Sequence, residues 1–141
     1  MEEYISFASK HYYLFIALGV IILLIIFTEL RRFTRGYKEI TAAEAVQLIN
    51  KEDALVLDIR EANDRKQGKI IGAKHIALSA LPARISNLSE NKDKPILVFC
   101  KMGNLSTQAC KLLLKNSYSN VSSLKGGITS WINEQMPITK K

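Results

Sequence analysis

The sequence predicts an α/β domain with a mostly parallel sheet and helices on both of its faces, preceded by one transmembrane helix. Two observations predict this class. One uncharged apolar run, Tyr12–Thr28, stands near the amino terminus, and short apolar strands alternate with helical segments along the rest of the chain. Such alternation is typical of a parallel sheet covered by helices. The 141 residues, 48% of them hydrophobic, suffice for one domain of this kind.

The apolar run Tyr12–Thr28 has the length and composition of a membrane-spanning helix. At about 1.5 Å per residue it would cover roughly 25 Å, near the lower limit for a bilayer core. It is apolar on all sides, which disfavours the alternative of a buried helix in a soluble core. Glu2 and Glu3 stand where a signal peptide would carry basic residues, which favours an uncleaved anchor. We expect an anchor at residues 1–30, a basic linker at 31–39 and a soluble domain at 40–138.

The charges around the run predict its orientation. Four basic residues follow between Arg31 and Lys38, whereas Glu2, Glu3 and Lys10 precede it. Positive flanks stay on the cytoplasmic side, so we expect a single pass through a membrane with the domain in the cytoplasm. Residues 37–141 carry +6 of the net charge of +7, which suits lipid headgroups or small anions. We expect no nucleic-acid partner, because basic-aromatic motifs are missing.

The elements of the domain follow from local patterns. A helix is predicted from Thr41 to about Asn50, with Thr41 and Glu44 forming a capping box. Four apolar runs have the form of buried parallel strands. They are Ala54–Asp58, Ile76–Leu78, Pro95–Phe99 and, more weakly, Val121–Leu124. The helical segments between and after them are Pro82–Leu88, Leu105–Lys115 and Ile128–Gln135.

Cys100 is the candidate for chemistry. It directly follows the predicted strand Pro95–Phe99, and sites in parallel sheets form at the carboxyl ends of strands. The glycine-containing loop after it leads into a helix, so several backbone amides can point at one anion. These amides and the neighbouring Lys101 would stabilise a thiolate, the nucleophilic form of cysteine. The alternative is an inert buried cysteine, as we expect for Cys110 in mid-helix; in a reducing compartment both are predicted to be free thiols.

Five segments together resemble the single-domain rhodanese family. They are Ile40–Val46, Leu55–Arg60, Gly68–Ile76, Cys100–Ser106 and Gly126–Trp131. The resemblance covers roughly residues 40–137, and with the preceding helix the chain is similar to membrane-anchored rhodanese-like proteins of the bacterial YibN type. It implies a rhodanese-like parallel sheet and a sulfurtransferase activity that needs no cofactor or metal. A cysteine takes the outer sulfur of a donor such as thiosulfate, becomes a persulfide and passes that sulfur to an acceptor thiol or cyanide.

The resemblance also implies roles for individual residues. Cys100 would be the nucleophile, and Lys101 would hold the sulfonate end of an anionic donor. The loop that cradles the persulfide would consist of Lys101, Met102, Gly103, Asn104 and Leu105. The supporting residues would be Asp58, Arg60 and Ser106, with Gly126, Gly127 and Trp131 as structural positions.

Departures from the family pattern leave three functions open. Leu105 stands where such loops often carry an arginine, so one anion-binding group for thiosulfate is missing. Lys69 and Ile71 replace the usual histidine and proline, and His75 is expected to be structural. The first function is sulfur transfer from a small donor, and the second is a carrier that another protein loads. The third is a non-catalytic interaction module, tethered to the membrane, that binds a protein partner. A cysteine-loop phosphatase would need an arginine where Ser106 stands.

Overall fold

The computed structural model describes residues 1–140, except for the side chains at positions 32 and 33. The chain divides into two compact units, Met1–Arg35 and the part that begins at Gly36. The first unit consists of helices α1 (Glu2–Lys10) and α2 (Tyr12–Phe33). Within residues 1–140, one stretch of helix, Tyr12–Arg31, is long and apolar enough to cross a membrane, with a mean hydropathy of 2.6 and no buried part. This agrees with the predicted candidate span.

The second unit contains a five-stranded parallel sheet. Its strands, in spatial order, are β1 (Lys38–Ile40), β6 (Val121–Leu124), β5 (Ile96–Phe99), β2 (Leu55–Asp58) and β4 (Lys74–His75). A second, antiparallel pair joins β3 (Lys69–Ile70) to β7 (Ile138–Thr139). The helices are α3 (Ala42–Glu52), α4 (Leu81–Arg84), α5 (Ser106–Lys115) and α6 (Gly127–Asn133). Two 3₁₀ helices complete the unit, η1 (Ala62–Gln67) and η2 (Ile85–Asn87).

The predicted fold class is confirmed, and the limits of several elements differ from the predicted ones. The capping box is present, because the Thr41 amide donates to Glu44 Oε2 at 2.7 Å and the Glu44 amide donates to Thr41 Oγ1 at 3.4 Å. The first of these bonds lowers the pKa of Glu44. α2 continues to Phe33 and β1 begins at Lys38, so residues 34–37 lie between these elements.

The predicted strand Ile76–Leu78 was wrong in its limits. β4 begins two residues earlier, where Lys74 and His75 pair with the end of β2. The backbone amides of Ile76 and Leu78 still donate to the carbonyls of Asp58 and Ile59, at 3.0 and 3.1 Å. The predicted helix Pro82–Leu88 is divided into α4 and η2. The sequence patterns missed η1. They also missed β1, β3 and β7, because strands of two or three residues are too short to show a period.

Central strand β5 positions the candidate nucleophile. Successive side chains of a strand point to opposite faces, and Ile96, Val98 and Cys100 lie in one buried cluster whereas Leu97 and Phe99 lie in the other. The Ile59 amide donates to the Phe99 carbonyl at 3.2 Å, so the β2–β5 pairing extends to the end of β5. Cys100 therefore leaves the sheet at its carboxyl edge, on the face that carries Ala109 and Leu113 of α5.

Candidate active site

The thiol of Cys100 receives two hydrogen bonds from the chain that follows it. The Gly103 amide donates to Sγ at 3.0 Å, and the Ser106 hydroxyl donates to Sγ at 3.3 Å. Ser106 is fully buried and is the first residue of α5, so the positive end of this ten-residue helix adjoins the sulfur. Donors and a helix terminus directed at a sulfur atom favour its negatively charged form. The side chain of Cys100 is only 2% exposed.

The peptide carbonyls of the loop are held on the side of α6. The Ile128 amide donates to the Cys100 carbonyl at 2.9 Å, and the Thr129 amide and hydroxyl donate to the Lys101 carbonyl at 3.2 and 2.9 Å. Gly127, at φ +62°, lies directly against both carbonyls. Gly127 was expected to be a structural residue, but this contact was not predicted from the sequence. The pair Gly126-Gly127 before a helix was the signal that could have indicated it.

The remaining loop residues form the exposed edge of the site. Met102 is 63% exposed and Leu105 is 45% exposed, and Asn104 is exposed as well. The Lys101 ammonium lies 3.8 Å from Asp64 Oδ1, and both side chains are about half exposed. This contact brings η1 next to the Cys100 loop. Asp64 was not predicted to belong to the site, because no local sequence pattern connects it with residues 100–106.

Asp58 and Arg60 form a buried ion pair at the end of β2. Arg60 Nε and Nη2 donate to the two carboxylate oxygens of Asp58, at 2.9 and 2.8 Å. Arg60 also donates to the carbonyls of Asp64 and Gly68, at 3.1 and 2.8 Å. His75 Nε2 is 2.7 Å from the Arg60 carbonyl. These bonds bind η1 to the sheet.

Cys110 lies in the core beneath the site. It is fully buried on α5, in the same cluster as Cys100, and both cysteines are free. Burial, with a smaller contribution from nearby Cys100, raises the pKa of the Cys110 thiol to about 12. Cys110 is therefore neutral at physiological pH. Among residues 1–140, no three His, Cys, Asp or Glu side chains come together to hold a metal ion.

The fold and the site define a class: a parallel α/β domain with a hydrogen-bonded cysteine where the central strand ends. Comparison with known proteins narrows the class to a family. Residues 41–134 match the family described as Rhodanese-like domain. The chain belongs to this family, as its sequence resemblance predicted.

Two curated proteins and one solved structure are similar to this chain. Protein YibN of Escherichia coli is 33% identical over 141 residues, 99% of each chain. The thiosulfate sulfurtransferase GlpE of Pseudoalteromonas translucida is 33% identical over 68% of this chain and 90% of its own. The crystal structure of a rhodanese-related protein from Thermoplasma volcanium superposes with a TM-score of 0.65 and 31% identity. It covers 74% of this chain and 100% of the Thermoplasma chain.

Proposed function

We propose that this chain is a membrane-anchored sulfurtransferase that carries sulfane sulfur as a persulfide on Cys100. The observation that carries the proposal is the pair of hydrogen bonds from Gly103 and Ser106 to the sulfur at the end of β5. Relatives named as sulfurtransferases support it. The donor would be thiosulfate or a persulfide of a protein or small molecule, and the acceptor would be a thiol.

The reaction would take place in two displacements at sulfur. The Cys100 thiolate attacks the outer sulfur of the donor, whose S–S bond breaks and whose electron pair leaves with sulfite or with the donor thiolate. An acceptor thiolate then attacks the outer sulfur of the Cys100 persulfide, and the Cys100 thiolate leaves. The Gly103 amide and the Ser106 hydroxyl stabilise the negative sulfur at both stages. Lys101 would attract an anionic donor.

The second cysteine does not compete for the transferred sulfur in this scheme. A buried thiol with a pKa of about 12 supplies almost no thiolate at neutral pH. Cys110 therefore cannot readily attack the persulfide on Cys100 to form a disulfide. The sulfur would leave only to an acceptor from outside the chain.

Intact mass after donor treatment tests the proposal. The full chain in detergent, treated with thiosulfate or with a small persulfide and then desalted, should gain one sulfur atom, about 32 Da. Cys100→Ser should gain none, and Cys110→Ala should gain as much as the wild type. Sulfur gained by the Cys100→Ser protein, or no gain from either donor in the wild type, would contradict the proposal.

A non-catalytic interaction module is the second candidate. The exposed apolar side chains of Met102 and Leu105, beside a thiol that is itself buried, favour a surface that contacts a protein. The same mass measurement separates the two functions. A wild-type protein that stays unmodified with every donor would favour the module, and a persulfide on Cys100 would favour transfer.

We further propose that α2 anchors the domain in the inner membrane, with the domain in the cytoplasm. α2 has 22 residues, about 33 Å of helix, and its membrane-spanning part is unburied. In sealed inside-out vesicles, added protease should digest the domain; in right-side-out vesicles it should do so only after detergent. The opposite pattern would place the domain in the periplasm. Loss of residues 1–35 from the membrane-extracted protein would indicate a cleaved signal sequence instead.

A further inference from the structure

The edge of the Cys100 site combines little positive charge with apolar surface. We call it the site mouth and define it as Asp64, Lys101, Met102 and Leu105. Lys101 is the single cationic residue of the segment 100–106, and its ammonium lies 3.8 Å from the Asp64 carboxylate. Met102 and Leu105 offer exposed apolar side chains, which donate no hydrogen bonds to a sulfonate.

The arginines next to the site mouth are directed elsewhere. Arg60 is buried and donates to Asp58 and to two backbone carbonyls. Arg65, which follows Asp64 in η1, has its Nε 3.8 Å from the same Asp58 carboxylate. Within the segment 100–106, the positive charge that could bind a donor is therefore Lys101, and Asp64 offsets that charge.

We propose that Asp64 determines donor specificity by lowering the affinity of the site for doubly charged donors. This inference rests on the proposed sulfur uptake at Cys100. A thiosulfate dianion that approaches Lys101 also meets the Asp64 carboxylate, which lies 3.8 Å from the Lys101 ammonium. A donor with less charge and an apolar group meets less repulsion and can contact Met102 and Leu105. The structure thus assigns to the site a sulfane donor of low charge with an apolar substituent.

Thiosulfate and methanethiosulfonate form a suitable donor pair for the test. Both transfer a terminal sulfur, but methanethiosulfonate is a monoanion because a methyl group replaces one charged oxygen. Attack by the Cys100 thiolate breaks the S–S bond of either donor and releases sulfite or methanesulfinate, respectively. The initial rate of sulfur uptake at Cys100, followed by intact mass at several donor concentrations, separates donor binding from the maximal rate.

Asp64→Asn in the full chain should increase the efficiency of uptake from thiosulfate about fivefold and from methanethiosulfonate about twofold, at low ionic strength. The change should lie in the half-saturating donor concentration and not in the maximal rate. At about 1 M salt the difference between the donors should largely disappear, because charges in water are then screened within about 3 Å.

Asp53→Asn is the matched control. Asp53 also pairs with a lysine, Lys94, at 3.3 Å, but it precedes β2 and so lies at the opposite edge of the sheet. It should leave the ratio of the two donors unchanged. The inference is overturned if Asp64→Asn leaves that ratio unchanged, or if Asp53→Asn alters it equally. If neither donor places sulfur on Cys100 in any variant, the proposed function fails, and this inference fails with it.

Discussion

Gly127→Ala should destabilise the domain by about 3–5 kcal/mol, the sum of a strained backbone and an overpacked contact. Gly127 has a φ of +62°, which side chains other than glycine rarely adopt. A methyl group there would also overlap the Cys100 carbonyl and would lie 2.6 Å from the Lys101 carbonyl. Both carbonyls belong to the loop that holds the thiol, so sulfur uptake should fall together with stability.

Guanidinium unfolding in detergent, followed by the fluorescence of Trp131, measures this effect. Trp131 is the single tryptophan of the chain and is 2% exposed, so its signal reports on the domain. Gly72→Ala is the control: Gly72 has a φ of +78°, but no atom lies within 4 Å of the added methyl group. Gly72→Ala should lower the free energy of unfolding by only about 1–2 kcal/mol, the part of the effect that comes from backbone strain. Equal losses in the two variants would contradict the role of the carbonyl contact.

Arg60→Met should lower the free energy of unfolding by about 3–5 kcal/mol, because it removes both side-chain hydrogen bonds to the buried Asp58 carboxylate and leaves that charge only the more distant Arg65, at 3.8 Å. The side chains of Arg60 and Asp58 are at most 2% exposed, so water cannot replace the lost donors. The substitution also removes the bonds to the Asp64 and Gly68 carbonyls. η1 should therefore become less firmly held, and the contact between Asp64 and Lys101 should weaken.

Two further variants test whether the buried charge causes the loss of stability in Arg60→Met. Lys94→Ala breaks an ion pair whose Asp53 partner is 97% exposed, so it should cost less than about 1 kcal/mol. Asp58→Asn added to Arg60→Met should recover part of the loss, since it removes the buried charge that has lost its hydrogen-bond donors. A double variant less stable than Arg60→Met alone would show that lost packing, and not the buried charge, dominates the effect.

The predicted and observed limits of the strands differ most where a strand is short or depends on distant residues. β5 and β2 were predicted to within one residue at their amino ends, because a buried parallel strand is a continuous apolar run bounded by polar residues. β4 was misplaced, because its limits depend on where the chain meets the end of β2. β3 and β7 were missed, since each has two residues and their paired residues are 68 and 70 positions apart in the sequence.

The sequence by itself determined the class of the domain, the apolar amino-terminal helix and the position of Cys100 at a strand end. These are properties of contiguous residues, because hydrophobic runs, caps and a strand–loop–helix segment are local. The tertiary structure decided which side chains surround the sulfur. Ser106 and Gly103 bond to it because strand alternation directs Cys100 toward α5. Gly127 and Asp64 reach the loop because the order of the strands brings distant segments to one edge of the sheet, which no local pattern encodes.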